Sequence, residues 1–271
     1  MKLLAIAIGT YNLIFWRALV GAGIGAIFFL ARRSRRPPPA AMHLHIKRGL
    51  VGCGTMFLFF WGLARVPLAQ GVALAFISPL ITLYLANVLL GERIGKNAIL
   101  ASLLGLAGVA IILAGQISAD LGPDALAGSI SILAAAILYA WNLILMRQQA
   151  LVADPVEVAT FLALVALLVF SLAAPFLAIV PAAHHWPGIA VASILSFLSM
   201  ILLSWAYGKA EAHYLAPVEY TALVWAALFG WLMFREPLEP ATLAGSLLII
   251  AGCLLAARVR PQPMAALEGV A

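Results

Sequence analysis

Residues 216–238 read APVEYTALVWAALFGWLMFREPL. From Tyr220 to Phe234 the stretch carries no charge, enough for four turns of helix. Yet Glu219 stands at its head, two positions after Pro217, and Glu236 closes it. In water Glu219 would mark an exposed turn. In lipid it would face a partner or a cavity, because a lipid-exposed charge costs several kcal/mol. The fold follows from which solvent surrounds this run.

Composition answers that question. Of 271 residues, 65% are hydrophobic and 10% charged, against roughly half and a quarter in soluble domains. Twenty-six charged side chains cannot cover a body this large with a water-facing surface. The chain reads as an all-α integral membrane protein. Barrel strands would alternate apolar and polar with period two, and these runs do not. Cys53 and Cys253 each lie in an apolar run with no ligand spacing, so neither a disulfide framework nor a metal site is expected. The start, MKLLAIAIG, has a charged head and a short apolar run but no small-residue cleavage site after it.

Apolar runs of spanning length fall at 12–30, 50–64, 69–90, 98–114, 127–146, 156–180, 189–207, 212–234 and 242–257. They make nine visible spans. A shift of 144 positions lays Trp61 on Trp205, Arg65 on Lys209 and Glu92 on Glu236. The same shift lays 102–104 (SLL) on 246–248 (SLL), and Ala107-Gly108 on Ala251-Gly252. One offset holding through three helices, with Trp and Glu among the matches, indicates a duplication. It sets the expected domains at 1–116 and 117–258, with 259–271 as a cytoplasmic tail. Span 127–146 then expects a partner upstream of Met1, with 1–9 as the loop after it, so the full unit is a ten-helix bundle of two five-helix repeats.

An odd number of helices per repeat forces the second copy into the membrane upside down. The connector ARRSRRPPPAAMHLHIKR, 31–48, holds six basic residues and no acid, whereas its counterpart AAHHWPG holds none. With 31–48 inside, twelve of the sixteen Lys and Arg residues fall on the cytoplasmic side. The net charge of +6 therefore reflects membrane orientation, and no nucleic-acid partner is expected. Inverted repeats characterise transporters that rock around a site near the midplane.

The segment SPLITLYLANVLLGERI (78–94) followed by SLLGLAGVAIILAG (102–115) resembles the EamA domain of the drug/metabolite transporter superfamily. The second copy is 216–238 followed by AGSLLIIAGCLLA (244–256), and YNLIFWRALVG (11–21) is similar to that family's second helix, with Arg17 as its arginine. Within the superfamily the chain most resembles the YddG-like exporters of aromatic amino acids. The resemblance implies ten helices, inverted repeats and export of amino acids or related metabolites across a bacterial inner membrane. The family's first helix has no counterpart in 1–271.

Glu219 falls about 10 Å into its span at ~1.5 Å per residue. It either lines an inner vestibule, contacting a substrate ammonium or carrying a proton, or serves structurally by pairing with Lys209 or capping a broken helix. Arg17 either braces a neighbouring helix or offers its fork to a carboxylate. Polar faces at helical spacing join Ser193, Ser196, Met200, Ser204 and Tyr207, then Ser131, Ala135, Tyr139 and Asn142. Ser78 pairs with Thr82, and Tyr84 with Asn87. Such faces turn away from lipid, toward a cavity or an interhelical hydrogen bond. Trp16, Trp186 and Trp231 sit near span ends as belt residues, whereas Trp141, Trp205 and Trp225 lie deeper and could stack flat substrates. The candidate substrate-binding set is Ser78, Tyr84, Tyr139, Trp141, Asn142, Trp205, Tyr207, Glu219, Tyr220 and Trp225. Glu92 and Glu236 are expected to pair locally with Arg93 and Arg235 or orient the next loop, and the glycines at 105, 108, 245 and 252 to pack helices closely.

No HEXXH, GXSXG, CXXC or P-loop pattern occurs, and His43 and His45 are read as lying in the basic connector. Neither a cofactor nor catalysis is expected. The partners are a small-molecule substrate and the bilayer, with the chain a monomer or weak dimer. Three readings stay open: a facilitative exporter of amphipathic metabolites such as amino acids, a proton-coupled exporter of cationic drugs or phosphorylated sugars, and a membrane enzyme or assembly subunit. The topology has a direct check. Reporters inserted between Arg33 and Ser34 and fused after Ala271 should both report the cytoplasm, and opposite sides would refute the inverted arrangement.

Overall fold

Prolines set several of the helix starts, where the missing N–H costs nothing. In the computed structural model, which describes residues 1–31, 37–78, 80–82, 84–85, 96–118, 122–209 and 221–257, the chain is helical, with no strand among the described residues. The helices are α1 (Lys2–Ile8), α2 (Thr10–Ala31), α3 (Pro39–Leu63), α4 (Leu68–Ala75), α5 (Lys96–Ser118) and α6 (Gly122–Ala150). They continue as α7 (Pro155–Ser171), the single turn α8 (Ala174–Leu177), α9 (Trp186–Lys209), α10 (Thr221–Phe234) and α11 (Pro240–Ala257). Pro39 and Pro155 occupy first-turn positions, and the Asp154 carboxylate caps α7 by accepting from Val156 N at 2.9 Å.

Length and hydropathy suffice to cross a membrane at Thr10–Ala31, Asp124–Ala150 and Ala183–Ala206, with shorter apolar helices between them. The outer surface is correspondingly greasy: Leu30, Leu172 and Phe176 are largely exposed. Such a surface is stable in hydrocarbon and a liability in water.

The packing divides into two cores. One joins α4, α5, α6 and α11 through Leu74, Ile112, Ile132 and Ile249, each buried. The other joins α2, α3 and α7 through Ile14, Ala18, Cys53, Ala166 and Phe170. The most extensive helix contacts are α5 with α11, α3 with α6, and α2 with α7. Where α5 meets α11, Gly108 and Gly245 stand back to back. A Cβ on either would come within 2.5 Å of the other's carbonyl oxygen. Only an absent side chain permits that approach, the usual basis of tight helix pairing in lipid.

A carboxylate ties the far ends of the chain together. Glu236 receives Lys2 in an ion pair, while its Oε2 accepts from Leu68 N at 2.7 Å, capping α4. Lys2 Nζ also donates to Val66 O at 2.6 Å and lies 4.8 Å from the Phe234 ring centroid. The pairing expected between Glu236 and Arg235 is thereby replaced. Arg235 takes a left-handed φ of 54° that ends α10, and Glu236 finds its partner 234 residues away. Glu92 lies outside the described residues.

Three further expectations change. Residues 2–8 are helical rather than a loop, and the 144-residue offset sets them against the last turns of α6. The connector is shorter than 31–48, because α3 begins at Pro39 and takes in His43, His45 and Arg48. Hydropathy alone could not extend the helix that far, since His45 and Arg48 are satisfied by partners distant in sequence. The run 156–180 breaks after Ser171, and Pro175 falls in the following turn.

The glycine contact predicts opposite outcomes for two substitutions. Gly108→Val drives branched carbons into the α11 backbone and should cost about 3 kcal/mol or more, lowering Tm in detergent. Gly23→Ala, whose Cβ meets nothing within 4 Å, should hold or raise Tm.

Candidate functional site

Side chains from α2, α3, α6, α7 and α9 enclose a cavity of about 230 Å³. On α3 the lining positions are Arg48, Gly52, Thr55 and Met56, whose spacing keeps them on one face. Tyr139, Asn142 and Met146 do the same on α6, and Ser193, Ser196, Phe197 and Met200 on α9. From α2 come Arg17 and Gly21; α7 contributes Ala159, Ala163 and Ala166, whose small side chains leave the room.

Two guanidinium groups dominate the electrostatics. Arg17 donates to Ser196 Oγ at 3.0 Å, contacts Met56 Sδ at 2.5 Å and lies 5.6 Å from the Phe60 ring centroid. Arg48, 2% exposed, donates through Nε to Asn142 Oδ1 at 3.2 Å and through Nη1 to Gln149 Oε1 at 2.6 Å. Its Nη2 lies 3.2 Å from Met200 Sδ. Every one of these partners is neutral, and among the described residues no carboxylate pairs with either arginine. An arginine side chain keeps its charge in proteins, so the described residues leave two positive charges in the cavity without a carboxylate partner.

Ser196 holds one guanidinium and Met200, one turn further along α9, touches the other. Two like charges lining one cavity repel each other, by an amount that falls with distance and local dielectric. An anion set between them relieves the repulsion and gains fork-shaped hydrogen bonds.

Behind Arg48 the polar chain continues. Gln149 Nε2 bonds to His45 Nδ1, and His45 Nε2 lies 2.7 Å from Glu157 Oε1. His45 and Gln149 are each 1% exposed, and the imidazole stacks on Phe161 with centroids 4.5 Å apart.

Of the ten residues expected to bind substrate, the cavity gathers Tyr139 and Asn142. Trp141 lines a separate groove with Lys47, whose Nζ lies 5.6 Å from its ring centroid. That groove is larger, about 380 Å³, but Lys47 is its one charged lining residue among those described. Trp205 and Trp225 are exposed on the outer face. Ser78 is buried and donates to Ala75 O at 2.8 Å; neither it nor Tyr84 lines the cavity. Glu219 and Tyr220 lie outside the described residues, as does the side chain of Tyr207. Arg17 bridges from α2 to Ser196 on α9 and Met56 on α3, as the bracing reading expects, and it also lines the cavity.

Arg48 is the residue the sequence reading missed, having been assigned to the basic connector. A signal was present: Arg48, Gly52, Thr55 and Met56 form a small or polar stripe continuous with the apolar run after them.

With the geometry in hand, comparison with known proteins places the chain. The model of the EamA-like transporter family matches residues 1–114 and again 126–258. The chain belongs to the EamA-like transporter family. The pseudopaline exporter of Pseudomonas aeruginosa is 26% identical over 258 residues, covering 92% of this chain and 86% of that protein. An S-adenosylmethionine uptake transporter of Rickettsia bellii is 26% identical over 211 residues, 78% of this chain and 71% of its own length. A riboflavin transporter of Rhizobium johnstonii is 27% identical over 217 residues, 79% and 70% respectively. A solved crystal structure superposes with a TM-score of 0.65 at 22% identity, covering 94% of this chain and 90% of that one, and shares the fold. Family and relatives are membrane transporters of small molecules rather than enzymes.

The EamA-family cavity sets a test on its arginines. Arg48→Met keeps length but removes a charged hydrogen-bonding fork, worth roughly 1.5–3 kcal/mol per bond. Equilibrium binding of a carboxylate cargo should weaken by about ten- to a hundredfold. Trp205→Phe, on the outer face, should change it by no more than about twofold.

Proposed function

We propose that this chain is a secondary transporter that exports small amphipathic metabolites bearing a carboxylate, amino acids including aromatic ones among them. The observation that carries this reading is the pair Arg17 and Arg48, both in one cavity and both held by neutral partners. A cavity of about 230 Å³ is smaller than the roughly 300–1,000 Å³ of drug-sized sites, which favours cargo of amino-acid size. The aromatic rings lining the cavity are Tyr139 and Phe197, which offer an apolar wall for a side chain.

In this reading the cargo moves by alternating access, driven by its own gradient. Two repeats, 1–116 and 117–258, carry the motion in inverted orientation. Supporting this are the contacts of α2 with α7 and of α5 with α11, since each of these helices packs on the one that the 144-residue offset assigns to it. The protein resides in a bacterial inner membrane with its C-terminus in the cytoplasm and works as a monomer or weak dimer. A cationic cargo finds no carboxylate among the described cavity residues, which disfavours the reading as an exporter of cationic drugs.

Proteoliposomes test the reading. Labelled L-phenylalanine should cross with purified protein and be competed by 3-phenylpropanoate, which keeps the carboxylate, and not by 2-phenylethylamine, which keeps the ammonium. Competition by the amine alone, or flux of cations without carboxylates, would overturn it.

A further inference from the structure

The chain Arg48–Gln149–His45–Glu157 has a direction that hydrogen-bond chemistry fixes. A guanidinium only donates, so Gln149 must turn its Oε1 toward Arg48, at 2.6 Å. The amide nitrogen of Gln149 is then left for His45 Nδ1. An amide N–H only donates, so Nδ1 must accept and carries no proton. The single imidazole proton sits on Nε2 and is donated to Glu157 Oε1, 2.7 Å away. Every link donates the same way.

We propose that His45 is a proton-binding site whose occupancy decides whether Arg48 is tied back by Gln149 or released to the cavity. A second proton can enter only at Nδ1. There it faces the Gln149 amide N–H₂, donor against donor. Half a turn of the Gln149 amide presents Oε1 to the imidazolium, and by the same rotation brings N–H₂ against the Arg48 guanidinium. The Arg48–Gln149 bond cannot coexist with a doubly protonated His45. Arg48 keeps its Asn142 contact through Nε, at 3.2 Å, and stays in place with Nη1 unengaged.

The charged and titratable groups around His45 come from three helices. Glu157 on α7 compensates an added positive charge, and Arg48, one turn along α3, opposes it. Asp154 caps the start of α7 through Val156 N. On α6, Gln149 is neutral and Tyr139 faces Arg48. From α9 the contact to Arg48 is the uncharged Met200. The imidazole's remaining face is covered by Phe161.

The consequence rests on the anion-cavity reading. A cargo carboxylate that captures Arg48 frees Gln149 to serve a protonated His45. Cargo and proton therefore favour each other's binding, and linkage makes the effect reciprocal. The proton is a second ligand of the site.

A test that needs no cargo separates this inference from the transport reading. Purified protein in detergent is treated with phenylglyoxal, an arginine-directed dicarbonyl, at pH 8 and pH 6. Modification of each arginine is then mapped by mass spectrometry. Arg17, in the same cavity without this chain behind it, is the reference. The ratio of Arg48 to Arg17 modification should rise by roughly tenfold at pH 6, the fold-change one lost hydrogen bond to a charged group converts to. In Gln149→Leu the ratio should be high at both pH values. An Arg48 as unreactive at pH 6 as at pH 8 in the unaltered chain overturns the proposal, whether or not the variant folds. Failure of carboxylate flux in proteoliposomes would instead remove the transport reading and leave the switch standing.

Discussion

A guanidinium cannot be discharged by burial. Most side chains that enter a low-dielectric interior escape the cost of charge by taking up or losing a proton, but arginine has no such exit. Nature's usual remedy is a carboxylate partner. Here the remedy is different: sulfur, hydroxyl and amide oxygen surround Arg17 and Arg48. Neutral partners solvate a charge without cancelling it, so the field of both arginines extends into the cavity. The rest of the site serves that condition. Alanines on α7 keep the space open, and five helices each lend a narrow face to it.

Much of this was legible in the sequence. Hydropathy placed α2, α5, α6, α9 and α11 to within a few residues, because their burial in lipid or core demands nothing but apolar side chains. The glycines read as scaffold meet that description at Gly108 and Gly245, where backbones touch. Tyr139 and Asn142 line the cavity, and so do Ser193, Ser196 and Met200, although the serines read more readily as packing. Helical period alone reveals which residues share a side, and five of them converge.

What escaped the sequence depends on partners distant along the chain. Arg48 and His45 looked like connector residues because a window of neighbours shows only their charge. Asn142, Gln149 and Glu157, which satisfy them, are about a hundred positions away. Glu236 was matched to its neighbour Arg235, whereas a left-handed turn delivers it to Lys2. Trp205 and Trp225 are exposed. A large apolar ring is as well accommodated by lipid as by a pocket, so depth in a span carries no information about side.

The bare backbones of Gly108 and Gly245 have a mechanical consequence. Two helices joined through side chains can slip by exchanging rotamers, like gears with slack between the teeth. At this crossing nothing lies between the main chains, and axial sliding would drive a carbonyl into an α-carbon. The α5–α11 pair therefore behaves as a rigid spine.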